Sequence, residues 1–160
     1  MSDLVCPCGL AAYQDCCQPL HLGLKKAQTA QQLMRSRYSA FALQQIEYLV
    51  QTTALGQQKY LDVEAIFQWS KQNQWLALEI VDHNEKIDKQ HAMVEFIAHY
   101  QDQQQKQAHH EKSYFVQHQA QWYFLDPTVA QKVTMKQACI CGSQKKFKQC
   151  CAKYLHFGLE

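Results

Sequence analysis

Proline and glycine are scarce in this chain, three and five among 160 residues, which excludes collagen-like and flexible low-complexity architectures. No run approaches 18 consecutive apolar residues, and this argues against a membrane-spanning helix. The opening Met1-Ser2-Asp3-Leu4-Val5-Cys6 carries neither the basic nor the apolar segment of a secretory signal, so a cytoplasmic location is expected. Cys-x-x-Cys is missing, and none of the eight histidines pairs as His-x-His or His-x-x-x-His. The common redox dithiol and a histidine-based metal site are thereby disfavoured.

What is present is a globular composition with 47% hydrophobic and 11% aromatic residues, long enough for one medium core with small appendages and too short for two full domains. All eight cysteines fall in two short runs. The first is Cys6-Pro-Cys8-Gly9 followed by Cys16-Cys17, and the second is Cys139-Ile-Cys141-Gly142 followed by Cys150-Cys151. Even-numbered, tightly clustered cysteines in a reducing compartment read as metal ligands rather than as a disulfide framework. A Cys-x-Cys turn offers two sulfurs, the following glycine permits a positive φ that steers the chain around an ion, and the second pair completes a tetrahedral shell. Zn²⁺ or ferrous iron accepts that geometry. We expect Zn²⁺, two per chain, held by Cys6, Cys8, Cys16 and Cys17 and by Cys139, Cys141, Cys150 and Cys151. Four sulfurs close the shell, so the role is structural and not catalytic.

Metal binding changes the charge argument. The formal charge is +2; four thiolates on a dication contribute 2 − 4 = −2 per site, so two sites bring the chain from +2 to −2. A nucleic-acid role cannot then be argued from net charge. Locally, four lysines (Lys145, Lys146, Lys148, Lys153) face one acid, Glu160, from Ala138 onward. Ser143 is placed to N-cap a short helix reaching Cys150, with Phe147 as its apolar anchor. The lysines on it either offset the thiolates or form a solvated face.

Between the clusters, Thr29-Ala-Gln-Gln32 reads as a capping box opening an amphipathic helix of about 20 residues, with Ala30, Leu33, Met34, Tyr38, Phe41, Ala42, Leu49 and Val50 apolar. A second helix is expected from Asp62 to near Gln72, with Val63, Ile66, Phe67 and Trp69 inward. The period then becomes two, over Trp75 to Val81, Ala92 to Tyr100, Ser113 to His118 and Trp122 to Leu125. Helices first and an antiparallel sheet afterwards make an α+β domain with a natural pocket between its layers. The boundaries expected are 1–28, 29–130 and 131–160, with the terminal modules docked, since no linker composition separates them.

Candidate pocket residues are Arg35, Arg37, His109, Glu111 and Asp126. The two arginines, at i and i+2, diverge on a helix; they bind an anion or pair structurally with Glu95, Glu111 or Asp126, and the structural reading is favoured. Alternation along a strand puts His109 and Glu111 on one face and His110 on the other. They form an acid–base pair, with Asp126 as a second base, or a polar strand end on the surface; the latter is favoured.

Cys139-x-Cys-Gly-Ser-x-Lys-Lys-Phe-Lys-x-Cys-Cys151 resembles the SEC-C motif, named after the zinc tail of the SecA translocation ATPase, whose last ligand is commonly His. The N-terminal copy departs from it: Leu10 replaces the serine, no lysines follow, and the gap between cysteine pairs is one residue shorter. By that analogy His21 and His156 could serve as fourth ligands. The segments Thr29-Ala-Gln-Gln-Leu-Met-Arg-Ser-Arg-Tyr-Ser-Ala-Phe41, Tyr48-Leu49, His110-Glu111-x-Ser113-x-Phe115 and Trp122-Tyr123 are similar to the YchJ-like family of bacterial proteins. That resemblance implies an NTF2-like cone, helices on a curved antiparallel sheet, flanked by two small SEC-C modules. It implies no reaction; the resemblance of the C-terminal module to the SecA tail, which docks on the SecB chaperone, implies a binding or adaptor protein meeting a protein partner, a SecB-like chaperone or a ribosome-associated factor, through Lys145, Lys146 and Lys148, with homodimerisation open. The alternative is a dehydratase or isomerase using His109, Glu111 or Asp126. RNA binding through the lysines needs an aromatic stacking surface that the sequence does not display.

Overall fold

A computed structural model describes Leu4 to Leu155. After a short helix α1 (Gln18–His21) come α2 (Ala30–Ala42), α3 (Ile46–Gln51) and α4 (Val63–Gln72), then strands β1 (Gln74–Asn84), β2 (His91–Gln101), β3 (Lys106–His118) and β4 (Gln121–Phe124). The strands pair antiparallel in the order β1-β2-β3-β4. The α+β architecture expected from the sequence is therefore the one observed. β3 begins seven residues earlier than its apolar pattern indicates, because its first half pairs with β2 while carrying polar side chains. At the free edge, β1 carries register irregularities at Trp75/Ala77 and at Ile80/Asp82, which spoil it as a template for further strands.

Thr29 caps α2, its Oγ1 accepting from the Gln32 amide at 3.0 Å. Gln32 reciprocates onto the Gln28 amide at 2.7 Å. A distant carboxylate finishes the cap: Glu85, beyond β1, accepts from the amides of Ala30 (2.8 Å) and Gln31 (3.1 Å), placing negative charge at the positive helix end. Asp62 caps α4 through the Ala65 amide at 3.0 Å.

The long first helix expected from the sequence is instead two helices. Gln44 takes a φ of +54°, with the Gln45 amide donating to Ala40 at 2.8 Å and the Gln44 amide to Phe41 at 3.4 Å. This is a Schellman stop built without glycine. Its sequence signal is the missing apolar residue between Leu43 and Ile46. Val63 and Trp69 of α4 are 50% and 45% exposed, so they are not core as expected; Trp69 edges onto Phe41, Trp75 and Tyr100 on the surface.

One apolar cluster joins α2 (Ala30, Leu33, Met34, Tyr38) to β2, Phe115 and Trp122. A second joins Val116, Tyr123 and Leu125 to Ile140, Phe147 and the four C-terminal cysteines. The C-terminal module is thus part of the main core. Gly56 makes that contact possible, since its amide bonds Ile140 O at 2.8 Å and a Cβ there would lie 2.8 Å from Ile140 Cα.

Candidate metal centres

The two cysteine runs fold into the same knuckle. In the first, an antiparallel bridge joins Val5 to Ala12, the Cys6 amide bonds Ala11 O at 2.9 Å, and Gly9 has a φ of +82°. A 3₁₀ turn, Tyr13–Asp15, then delivers Cys16 at φ −123°, ψ −97°. In the second, the bridge joins Ala138 to Lys146, the Cys139 amide bonds Lys145 O at 2.7 Å, and Gly142 has a φ of +90°. The turn Phe147–Gln149 delivers Cys150 at φ −129°, ψ −98°. Gly142 is doubly constrained, because a Cβ would also meet the His118 ring at 2.9 Å. The helix expected to start at Ser143 does not form: Gln144 sits at φ +71° and the turn begins at Phe147.

In each knuckle the four sulfurs lie within 4.8 Å of one another. Cys8 and Cys16 are 3.5 Å apart, Cys16 and Cys17 3.9 Å, and Cys8 and Cys17 3.9 Å. Cys141 and Cys150 are 3.7 Å apart, and Cys150 and Cys151 3.9 Å. A tetrahedron with Zn–S bonds of about 2.3 Å has edges of about 3.8 Å, whereas a disulfide needs about 2.05 Å. All eight cysteines are free. Electrostatics supports the same fit: hydrogen bonds from Cys17 and Cys8 hold Cys6 far below the usual thiol range, and hydrogen bonds with Cys6 and Cys8 push Cys17 far up. Burial pushes Cys16 up to about 12. Four such sulfurs cannot ionise together without a cation among them.

Each centre has its own surroundings. At the first, Ser39 Oγ lies 3.3 Å from Cys6 Sγ and Arg35 Nη1 donates to Cys8 O at 3.2 Å; one turn apart on α2, they seat the knuckle on the helix. His21 is not a ligand. Its Nδ1 accepts from Tyr13 Oη at 2.7 Å and its Nε2 donates to Ser36 O at 2.8 Å, and burial lowers its pKa. His156 lies outside the described residues. At the second centre a residue that sequence reasoning missed lies against the sulfurs. His91, 2% exposed, has Nε2 at 3.2 Å from Cys151 Sγ and Nδ1 at 2.8 Å from Asp88 Oδ1. Burial alone would lower its pKa, but hydrogen bonds to cysteine sulfur and to Asp88 reverse the direction. Asp88 also accepts from Tyr154 Oη at 2.6 Å and lies 3.6 Å from Lys153 Nζ. No local pattern marks His91, which stands 60 residues from its sulfur.

The five candidate pocket residues do not gather. Arg35 is at the first knuckle. Arg37 is buried, with Nη1 donating to Leu49 O at 2.9 Å and Thr52 Oγ1 at 2.7 Å, and its guanidinium 4.4 Å from the centre of the Phe124 ring. It pairs with none of the three carboxylates expected. Burial lowers its pKa to about 10. Asp126 caps a turn through the Thr128 amide at 2.8 Å. Only His109 and Glu111 meet, at 3.1 Å, with Ser113 donating to the other Glu111 oxygen. His110, on the opposite face, bonds Glu95 at 2.6 Å. Between helices and sheet, Ala30, Leu33, Met34 and Tyr38 of α2 pack against β2, Phe115 and Trp122. Two hollows lie on the surface, one of about 510 Å³ at Gln72, Asn73 and Asp102 to Gln104, and a groove of about 220 Å³ between Asp88–His91 and Lys145, Gln149, Cys150 and Lys153. Lys145, Lys146 and Lys148 are exposed, and Lys145 Nζ reaches Gln90 Oε1 at 3.3 Å. Among the described residues no helix is long and apolar enough to cross a membrane.

Comparison with known proteins matches residues 29–127 to the model of the YchJ middle NTF2-like domain and residues 135–153 to the SEC-C motif. A UPF0225 protein of Actinobacillus succinogenes is 46% identical over 153 residues, covering 94% of this chain and 98% of the relative. One from Haemophilus influenzae is 46% identical over 151 residues, covering 94% and 92%. Among solved structures, a SEC-C motif containing protein from Psychrobacter arcticus superposes with a TM-score of 0.85 at 49% identity, covering 94% of this chain and 96% of that one. A second, from Rhodopseudomonas palustris, gives 0.70 at 33% identity over 78% of this chain and 96% of its own.

Proposed function

The chain belongs to the YchJ family, with its NTF2-like middle domain and SEC-C motif, and we propose that it is a non-enzymatic zinc-binding adaptor that meets an acidic segment of a protein partner through its C-terminal module. Zn²⁺ would be held by Cys6, Cys8, Cys16 and Cys17 and by Cys139, Cys141, Cys150 and Cys151. The ion supplies cross-linking of short, core-poor segments and no open coordination position. The eight free thiols support a reducing, cytoplasmic setting.

One observation carries the partner reading: two knuckles of one design differ in charge. Residues 1–28 hold two acids, Asp3 and Asp15, against two lysines, Lys25 and Lys26. Between Pro127 and Leu155 there are six lysines (Lys132, Lys136, Lys145, Lys146, Lys148, Lys153) and no acid. Lys89, on the β1–β2 turn, adds to the same groove, while its carboxylate, Asp88, is already engaged by Tyr154, His91 and Lys153. Charge complementarity of this kind steers association and selects partners. RNA is the weaker fit, because Phe147 is fully buried and Tyr154 stacks on Tyr114 at 5.3 Å, leaving neither ring for a base. A SecB-like chaperone or a ribosome-associated factor is the kind of partner the SEC-C likeness suggests. Acid–base catalysis by His109 and Glu111 is the weaker fit, since the two side chains are 55% and 33% exposed and Asp126 caps a turn of its own.

Two measurements test the proposal. Elemental analysis of the purified chain returns about two zinc ions per chain; none would overturn the cofactor. Affinity capture with the intact protein and with the Lys145→Glu, Lys146→Glu, Lys148→Glu triple variant recovers different partners. Recovery of the same set by both removes the basic face as the contact.

A further inference from the structure

The two centres share ligands and backbone but differ in how far solvent reaches them. At the C-terminal centre all four cysteines are buried, at 6%, 1%, 3% and 0% exposure for Cys139, Cys141, Cys150 and Cys151, beneath a fully buried Phe147. They sit inside the main apolar cluster, and buried His91 covers Cys151 at 3.2 Å. At the N-terminal centre the matching aromatic, Tyr13, is only partly buried. The cluster there holds just Cys6, Cys8 and Cys17 as buried members, with Tyr13, Cys16 and Leu78 partly buried around them. Seven of the eight cysteines are buried; Cys16 is the exception. Among the described residues its Sγ bonds to other sulfurs, Cys8 at 3.5 Å and Cys17 at 3.9 Å, with no imidazole over it of the kind Cys151 has.

We infer that Cys16 is a modification site, the thiolate at which soft electrophiles and peroxide enter the N-terminal centre, so that this centre gives up its ion before the C-terminal one. The inference rests on both centres holding a divalent ion, as proposed above. Reactivity of a thiolate follows its accessibility and its charge; the two centres have the same sulfur donors, the lysines gather at the C-terminal one, and access singles out Cys16 at the N-terminal one. With a maleimide, the Cys16 sulfur lone pair forms an S–C bond to the alkene, the C=C π pair takes a proton from water, and the resulting thioether is neutral and a poor ligand. With hydrogen peroxide, Cys16 Sγ attacks one oxygen and the O–O bond breaks, giving a sulfenic acid and, after a proton from solvent, water. Cys8 Sγ then attacks the sulfenyl sulfur, the S–O bond breaks, and a second proton converts the departing hydroxide to water. Two thiolates have lost two electrons to one peroxide, and a Cys8–Cys16 disulfide has formed. The pair starts 3.5 Å apart and closes to about 2.05 Å. Two sulfurs remain, too few to retain the ion.

The test uses the full-length, zinc-loaded chain. It is treated with limiting N-ethylmaleimide and, separately, with hydrogen peroxide, while a chromogenic chelator reports free zinc and peptide mass spectrometry locates the label or the disulfide. One equivalent of zinc leaves about tenfold or more faster than the other, in step with alkylation of Cys16 or with the Cys8–Cys16 disulfide. Parallel release of both ions, first labelling at a C-terminal cysteine, or alkylation of Cys16 with no zinc released each overturns the inference alone. A chain that takes up no zinc overturns the metal reading and this inference with it.

Discussion

Replacing Arg37 with alanine is expected to destabilise the fold and to leave metal content unchanged. Arg37 is 6% exposed and its guanidinium does not reach a carboxylate among the described residues, so its charge is held by Leu49 O at 2.9 Å, Thr52 Oγ1 at 2.7 Å and the Phe124 face at 4.4 Å. Hydrogen bonds to a charged group contribute about 1.5–3 kcal/mol each, and a desolvated cation–π contact about 2 kcal/mol. Against these stands the desolvation of the charge, which the variant relieves. Leu49 O keeps a donor in the Thr53 hydroxyl at 2.8 Å, whereas the Thr52 hydroxyl still donates to Tyr48 O at 2.7 Å but loses the donor to its own oxygen. The balance is a loss of about 2–4 kcal/mol, and at about 2–4 °C per kcal/mol for a chain of this size, Tm falls by about 4–16 °C. Arg37→Lys restores only part of this, since a single ammonium cannot serve the carbonyl, the hydroxyl and the ring at once. Calorimetry at saturating zinc, alongside elemental analysis, measures both quantities. A Tm within about 1 °C of the parent would refute the structural role and return Arg37 to the pool of ligand-binding candidates.

Three further outcomes follow from particular contacts. Burial lowers the His21 pKa, so as pH falls through about 6.5 the unfolded chain binds a proton that the folded chain resists. Stability is therefore lost toward pH 5, and thermal melts at saturating zinc show a shallower decline for His21→Asn than for the parent. The β3–β4 turn places Gln119 and Ala120 at φ +52° and +64°, where a glycine is relaxed; Ala120→Gly raises Tm by about 1–4 °C, and a lowered Tm would contradict this turn geometry. Gly56→Ala puts a Cβ 2.8 Å from Ile140 Cα, costing about 1–3 kcal/mol. Amide exchange then accelerates across residues 134–155 while the β2–β3 pairing stays protected; unchanged exchange there would mean that the C-terminal module does not depend on this close approach.

Features whose partners lie within one turn were legible in the sequence. Thr29 and Asp62 cap helices through amides three residues ahead, and the β2 side chains alternate as their hydrophobic pattern indicates. The cysteine spacing alone identifies the two knuckles, because each closes within 12 or 13 residues. The helix stop at Gln44 left only a gap in the apolar period, since the residue adopting the left-handed conformation there is not the glycine that normally announces it. Tertiary packing decided the rest. The fate of Arg37 depended on α3 ending over it, and that of Arg35 on a knuckle docking against its side of α2. His91 became a neighbour of Cys151 only when β2 was laid beside the C-terminal module. The two knuckles, near twins in ligand pattern, became unequal for the same reason: burial belongs to the surfaces that meet, and only the C-terminal knuckle lies inside the main core.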